Sequence, residues 1–242
     1  MIGLMLVGCG VQLGDHCIID QAPGGTIRLV TERDMKGGKL VREQQYFAVA
    51  GAPSATAEHE YVDGLWVEEQ FNGDPGFSDE PTQRTVIRWD DLGQPIAREV
   101  YDLPSGELES LFEYSWENGR LTSTQNQTLF TSWEEIWTWE GDSAVVLQSF
   151  LGGRVVREFR DYTPSVLSWP VLPPDENLPG LAFTSVGVDL NENGTREPDE
   201  LTFEQEVDDN GVPSFSRFYD ATGSLFTQSD WGDCPALGPP EE

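Results

Sequence analysis

Glu60-Tyr61-Val62-Asp63-Gly64-Leu65-Trp66-Val67 reads as two strands joined at Asp63-Gly64. Aromatic and β-branched residues flank the pair, and Asp-Gly suits a type I′ turn, whose two central residues need positive φ. Working outward, the same grammar recurs. Residues 26–33 form a strand with Ile27, Leu29 and Thr31 on one side, Asp34-Met35-Lys36-Gly37-Gly38 turns, and 40–49 return. Residues 85–89 lead into Asp90-Asp91-Leu92-Gly93, and 96–101 lead back. Further strands are expected at 107–116, 120–130, 133–139, 145–150 and 154–162, separated by Glu117-Asn118-Gly119, Glu140-Gly141-Asp142 and Gly152-Gly153. No long amphipathic helix is present. The expected fold is all-β: an antiparallel meander of many short hairpins, a curved open sheet or barrel-like, with few or no helices.

A Pro-rich stretch at 163–180 (Pro164, Pro170, Pro173, Pro174, Pro179) interrupts the rhythm. Proline removes ladder donors, so this is expected to be a surface connection. Strands resume at 181–188, 201–207, 213–219 and 224–229. Residues 10–234 are read as one β domain, and 235–242 as a loose acidic tail. The chain has 242 residues and a net charge of −29, with 11% aromatic residues, enough to build a core despite the acidity. Its 14 cations cannot supply the broad basic face that nucleic acid or anionic lipid requires. No stretch approaches the roughly 18 apolar residues of a transmembrane helix.

At the N-terminus, Leu6-Val7-Gly8-Cys9 resembles the lipobox of bacterial lipoproteins, in which small residues precede a cysteine that is lipid-modified after cleavage. The resemblance implies that residues 1–9 end a signal and that Cys9 carries a lipid. It also implies a cell-envelope protein whose membrane contact is the anchor alone. Gly10 rather than Asp after the cysteine is compatible with outer-membrane sorting, on the periplasmic or surface side. Residues 1–8 depart from a full signal, since they contain no Lys or Arg and the apolar run is short. A start codon placed too far downstream would explain both departures. The other reading makes residues 1–8 a buried first strand. With Cys9 lipidated, Cys17 and Cys234 are left as a candidate disulfide tying the chain's ends together, or as two unpaired thiols.

Trp89-Asp90-Asp91-Leu92-Gly93 and Tyr219-Asp220-Ala221-Thr222-Gly223 share aromatic-Asp-x-x-Gly, Tyr101-Asp102-Leu103-Pro104-Ser105-Gly106 carries one residue more, and Trp116-Glu117-Asn118-Gly119 one fewer. These segments resemble the YD repeat of bacterial Rhs-type surface and toxin-shell proteins. In that repeat the aromatic ends a strand, Asp and Gly make the turn, and an aliphatic residue starts the next strand. The resemblance implies architecture, an extended sheet curled into a wall, and no catalysis.

Asp189-Leu190-Asn191-Glu192-Asn193-Gly194-Thr195-Arg196-Glu197-Pro198-Asp199-Glu200 fits the calcium-loop pattern and resembles the EF-hand loop and related extracellular calcium loops. Oxygens of Asp189, Asn191 and Asn193 would converge on one side of a turn that Gly194 permits. The Thr195 carbonyl, Glu197 and a bidentate Glu200 would complete the shell around calcium. Arg196 stands where EF-hands carry an aliphatic residue, Pro198 follows, and the flanks alternate with period two where EF-hands have helices. A calcium loop set between strands is therefore the expectation, weakened by Arg196. The alternative is a solvated acidic turn.

Other chemistry has little support. Only His16 and His59 can serve as imidazole bases, and no nucleophile elbow, phosphate loop or His-Glu-x-x-His occurs. Glu134 and Glu135 lie among Trp133, Trp137 and Trp139, a carboxylate pair in aromatic surroundings. The tryptophans alternate, which suits one face of a sheet, or sugar and partner contact if that face is open. The first reading is a lipid-anchored envelope protein with a binding or structural role and a protein or glycan partner. The alternatives are a secreted carbohydrate- or ester-active hydrolase and a YD-repeat-like shell domain. No catalytic residue is assigned.

Overall fold

The computed structural model describes residues 16–47, 53–73, 75–76, 78–128, 130–150, 153–165, 178–197, 200–209 and 211–233. The chain runs through β1 (His16–Gln21), β2 (Ile27–Lys36), β3 (Lys39–Phe47), β4 (Ala55–Val62), β5 (Leu65–Asn72), β6 (Gln83–Trp89), β7 (Pro95–Asp102) and β8 (Leu108–Glu117). It continues through β9 (Arg120–Thr128), β10 (Ser132–Glu140), β11 (Ser143–Phe150), β12 (Val155–Pro164), β13 (Leu181–Val188), β14 (Leu201–Val207), β15 (Pro213–Tyr219) and β16 (Leu225–Gly232). Each strand pairs antiparallel with its sequence neighbours, and β1 also pairs with β16, closing a barrel. Ile18 faces Thr31 on one side and Trp231 on the other. Closure removes both sheet edges, which an open sheet of this length would leave unpaired. The turns after the even-numbered strands share the end at which β1 begins, the near end; the others make the far end.

Alternation sorts the two faces. On β10, Trp133, Glu135, Trp137 and Trp139 point inward, whereas Glu134, Ile136, Thr138 and Glu140 are exposed outside. The outer wall is polar elsewhere too, with Glu58 and Glu60 on β4, Gln125 and Gln127 on β9, and Glu206 on β14 exposed. Ion pairs cross between outer neighbours, Arg84 to Glu68 at 2.6 Å and Arg88 to Glu99 at 2.9 Å. A membrane barrel carries the opposite pattern, an apolar outer band, and a lipid-facing Arg at the bilayer midplane costs about 2–4 kcal/mol. This outer wall carries charged pairs, with Ile96, Ile136 and Val155 exposed among them.

The turns show why the aromatic-Asp-x-x-Gly segments recur. Asp90 Oδ1 accepts the Leu92 and Gln94 amides, and Asp220 Oδ1 accepts those of Thr222 and Ser224. Gly93 and Gly223 sit at φ 76° and 75°, which a side chain would strain. Asp208 and Gly211 make the same turn after Val207, without the aromatic. The aromatic has its own task. The indole N–H groups of Trp89, Trp116 and Trp139, at the ends of β6, β8 and β10, donate to the carbonyls of Trp66, Pro95 and Leu121, each at 2.7 Å. Each ring thereby clasps the start of the preceding odd-numbered strand.

One half of the lumen is filled. Trp137, Trp139, Tyr162, Phe183, Phe203 and Phe218 form a continuous aromatic line across β10 to β15, with successive centroids 4.8–5.9 Å apart. Leu178, from the end of the Pro-rich connection, packs against this core. Residues 166–177 of that connection, residues 1–9 read above as the end of a signal, and residues 235–242 read as a tail lie outside the described residues. At the near end, Leu40 of β3 and Ala182 of β13 are wholly buried together, with Met35, Val207 and Val212 around them. These contacts cross the lumen and seal that end.

Candidate functional site

The other half of the lumen is hollow. A cavity of about 720 Å³ lies inside β1–β7 and β15–β16, within the usual range for small-molecule sites. It reaches solvent at the far end, where Arg28 and the 58% exposed Phe226 line it. Its wall carries three arginines (Arg28, Arg33, Arg98) and three carboxylates (Asp20, Glu43, Glu69). Pairing in register brings Arg33 of β2 beside Glu43 of β3, and His59 of β4 beside Glu69 of β5.

Arg33 Nε donates to Glu43 Oε1 at 2.8 Å, and both side chains are largely withdrawn from water. His59 lies between two carboxylates, with Nε2 3.7 Å from Glu43 and Nδ1 3.5 Å from Glu69. Its side chain is 1% exposed, and neither nitrogen makes a hydrogen bond of normal length among the described residues. The ring meets Trp66 edge to face at 5.8 Å. Burial pushes the Glu43 carboxyl up, but Arg33 and His59 outweigh it, so Glu43 ends below the usual carboxylate value. Its contribution to stability is thus present at neutral pH and is lost as pH falls through its lowered folded value.

Asp20 behaves oppositely. Burial raises its carboxyl, against the opposing hydrogen bond from Ser229. A raised acid favours the folded state while protonated and loses that contribution as pH rises through its folded value. Asp20→Asn is therefore expected to raise the unfolding midpoint at pH 7. The difference from wild type should shrink below about pH 4, where the unfolded carboxyl is itself protonated; chemical denaturation at both pH values measures it.

A second, smaller cavity of about 310 Å³ lies inside the filled half, bordered by Trp133, Glu135, Gln148 and Arg160. Arg160 is 3% exposed and pairs with Glu135 at 2.9 Å and Glu158 at 2.6 Å, stacked over Trp137 at 4.7 Å. Gln148 also donates to Glu135. The Glu134/Glu135 pair of the sequence is split by alternation: Glu134 is outside, and Glu135 is held by a guanidinium. The two do not face each other as an acid/base pair would.

The 189–200 loop connects β13 to β14 at the far end. Asp189 accepts the amides of Asn193 and Gly194, and Glu200 accepts those of Leu190, Asn191 and Glu197. Asn193 Oδ1 accepts the Thr195 amide at 2.7 Å. The side-chain amides of Asn191 and Asn193 donate to Glu197, each at 2.9 Å. Arg157, from β12, reaches Asp189 at 3.1 Å. Arg196 turns away to Asp161 and Ser185. Among the described residues no three His, Cys, Asp or Glu side chains are placed to hold a metal ion. The loop is closed by its own hydrogen bonds, and the Arg157 guanidinium stands beside Asp189.

Cys17 is fully buried and stands opposite Gly232, two residues before Cys234. Cys9 and Cys234 lie outside the described residues. The sequence reading missed the Arg33–Glu43–His59–Glu69 row. A period-two count along β4 would have found part of it, because His59 shares the face of Ala55 and Ala57, which are small and buried.

No protein-family profile matches the chain, and no curated protein matches it. Among solved structures it is similar to a porin-like protein from Bacteroides uniformis ATCC 8492, with TM-score 0.46 and 9% identity over 90% of this chain and 96% of that one. It is also similar to a chain of the TcdB2-TccC3-Cdc42 structure, with TM-score 0.34 and 12% identity over 86% of this chain and 10% of that one.

Proposed function

We propose that the protein is a lipid-anchored cell-envelope binding protein whose barrel holds a small ligand in the hollow half of its lumen. The observation that supports this best is the asymmetry of the interior: one half is packed with aromatic side chains around a cavity of about 310 Å³, while the other keeps one of about 720 Å³ in which charged and hydroxyl groups are set among apolar and aromatic side chains. The anchor would be Cys9. Only six residues lie between it and His16, where β1 starts at the sealed end, a reach of roughly 25 Å at full extension. The barrel would then stand with its sealed end toward the membrane and its cavity facing away. A Cys17–Cys234 disulfide at the same end would lock the β1–β16 seam.

Filling the cavity tests this reading. Native mass spectrometry of protein purified from its own host is expected to show a small-molecule adduct. Ala57→Trp, and Ala55→Trp nearer the far end, should lose that adduct while keeping the β-sheet circular dichroism. An adduct that persists in both variants contradicts the reading. Diacylglycerol on Cys9, found by mass spectrometry of membrane fractions, tests the anchor separately.

The shell reading has one observation in its favour, the indole clasp repeated at Trp89, Trp116 and Trp139, which at Trp89 adjoins the Asp90–Gly93 turn. Calcium at 189–200 is a separate proposal resting on spacing alone. Titration of the wild type at millimolar Ca²⁺ should give weak heat, and Arg157→Ala should bind several-fold more tightly by releasing Asp189. Absence of heat in both overturns it.

A further inference from the structure

We propose that the cavity takes a neutral, hydroxyl-rich ligand, a short oligosaccharide, with Glu43 and Glu69, held by His59, as its hydrogen-bonding pole. This deepens the reading of the cavity as a ligand site and rests on it.

Charge points first to neutrality. The chain carries −29, yet the cavity wall balances three arginines with three carboxylates. The excess acid lies elsewhere. A charged ligand would gain nothing from a balanced wall and would lose its hydration on entry.

Hydrogen-bonding capacity points to hydroxyls. His59 is buried with both nitrogens outside normal hydrogen-bond distance of the flanking carboxylates, at 3.5 and 3.7 Å. A buried imidazole left this way is costly. A hydroxyl on the cavity side of the ring both donates and accepts. Both imidazole nitrogens are closed off from the cavity, so such a hydroxyl donates to Glu43 or Glu69, whose side chains stay 22% and 23% exposed, while His59 holds the two carboxylates from behind. Two carboxylates serving hydroxyl donors, with arginine and glutamine as donors in return, match the mixed edge of a sugar ring.

Aromatic surface points to a ring with an apolar face. Phe71, Phe218, Phe226 and Trp231 border the cavity, and Phe226 is exposed at its mouth. The C–H face of a pyranose rests on such rings while its hydroxyls reach outward. The wall is largely apolar, but an acyl chain would leave Glu43 and Glu69 without hydrogen-bond donors from the ligand.

The test is calorimetric titration of the full chain with maltotriose, cellotriose and chitotriose, alongside trigalacturonate and the amphipathic anionic dye 1-anilinonaphthalene-8-sulfonate. At least one neutral trisaccharide is expected to bind. His59→Gln and Glu69→Gln should each weaken it about tenfold, with the unfolding midpoint of at least one variant within error of wild type. That combination separates ligand contact from a structural role. Binding only of trigalacturonate overturns the ligand's neutrality, and binding only of the dye overturns the oligosaccharide; either, abolished by Ala57→Trp, leaves the cavity reading standing. Trisaccharide binding untouched by His59→Gln and Glu69→Gln overturns the assigned pole. No binding of any probe overturns the oligosaccharide, and an adduct from the native host, or its absence, then decides the cavity reading separately.

Discussion

Arg160→Ala is expected to cost about 3–5 kcal/mol of unfolding free energy, because it strands Glu135 and Glu158 beside a closed core. A domain of this kind is stable by roughly 5–15 kcal/mol in all, so the variant should sit near the edge of folding. The melting temperature should drop by roughly 10 °C or more. Arg160 is 3% exposed, links β12 to β10 through Glu135, and is also held by Glu158 of its own strand. The cost comes from the carboxylates left behind rather than from the bond itself. Arg160→Met combined with Glu135→Gln and Glu158→Gln should therefore recover a large part of the loss, since removing a buried ion set whole is often close to neutral. Urea midpoints of the single and triple variants measure the difference. A single variant within error of wild type would show that water reaches these carboxylates.

Trp137→Ala is expected to cost about 3–5 kcal/mol, the usual range for removing a buried Trp or Phe side chain. Trp137 is 6% exposed, stacks on Trp139 at 5.9 Å, and lies beneath Arg160. It starts the aromatic line that fills this half of the lumen. Replacement by Phe separates packing from hydrogen bonding. The Trp137 indole N–H has no hydrogen-bond partner among the described residues, so Trp137→Phe removes ring area only. Trp139 Nε1 donates to the Leu121 carbonyl. Trp139→Phe also strips that carbonyl, adding about 1 kcal/mol. Guanidinium unfolding should thus rank Trp137→Ala as the largest loss, and should give Trp139→Phe an excess over Trp137→Phe.

The strands were legible because a sheet with one wet face writes its alternation into the sequence. Glu134, Ile136, Thr138 and Glu140 against Trp133, Glu135, Trp137 and Trp139 is enough to orient β10. Closure was harder to read. It depends on β1, six residues whose Cys-Ile-Ile run is too short to show a period, and on its pairing with a strand more than 200 residues away. The aromatic-Asp-x-x-Gly segments were visible as turns. Their inward clasp was not, since an indole donating to the preceding odd strand is a contact between strands. Asp208 escaped notice because Val207 stands where the aromatic would be.

The acidic loop shows the limit most clearly. Its spacing is local, and the turn at Gly194, with its positive φ, was legible from it. Arg157 reaches Asp189 from β12, 32 residues earlier, and no local pattern announces that. The cavity is less local still. Arg33, Glu43, His59 and Glu69 come from four consecutive strands, and their meeting follows from register across three hairpins. Whether a lumen is filled or hollow depends on side chains from opposite walls, which alternation along one strand does not encode.

The central claim is that this barrel wears its polar face outward and keeps its ligand space within. It is tested most directly by expressing the chain with Cys9→Ser, so that no lipid can be attached, and purifying it without detergent. The account predicts a stable β-sheet protein in detergent-free buffer that stays at the bottom of a flotation gradient when mixed with phospholipid vesicles. Flotation with the vesicles, or folding only in detergent, would contradict it.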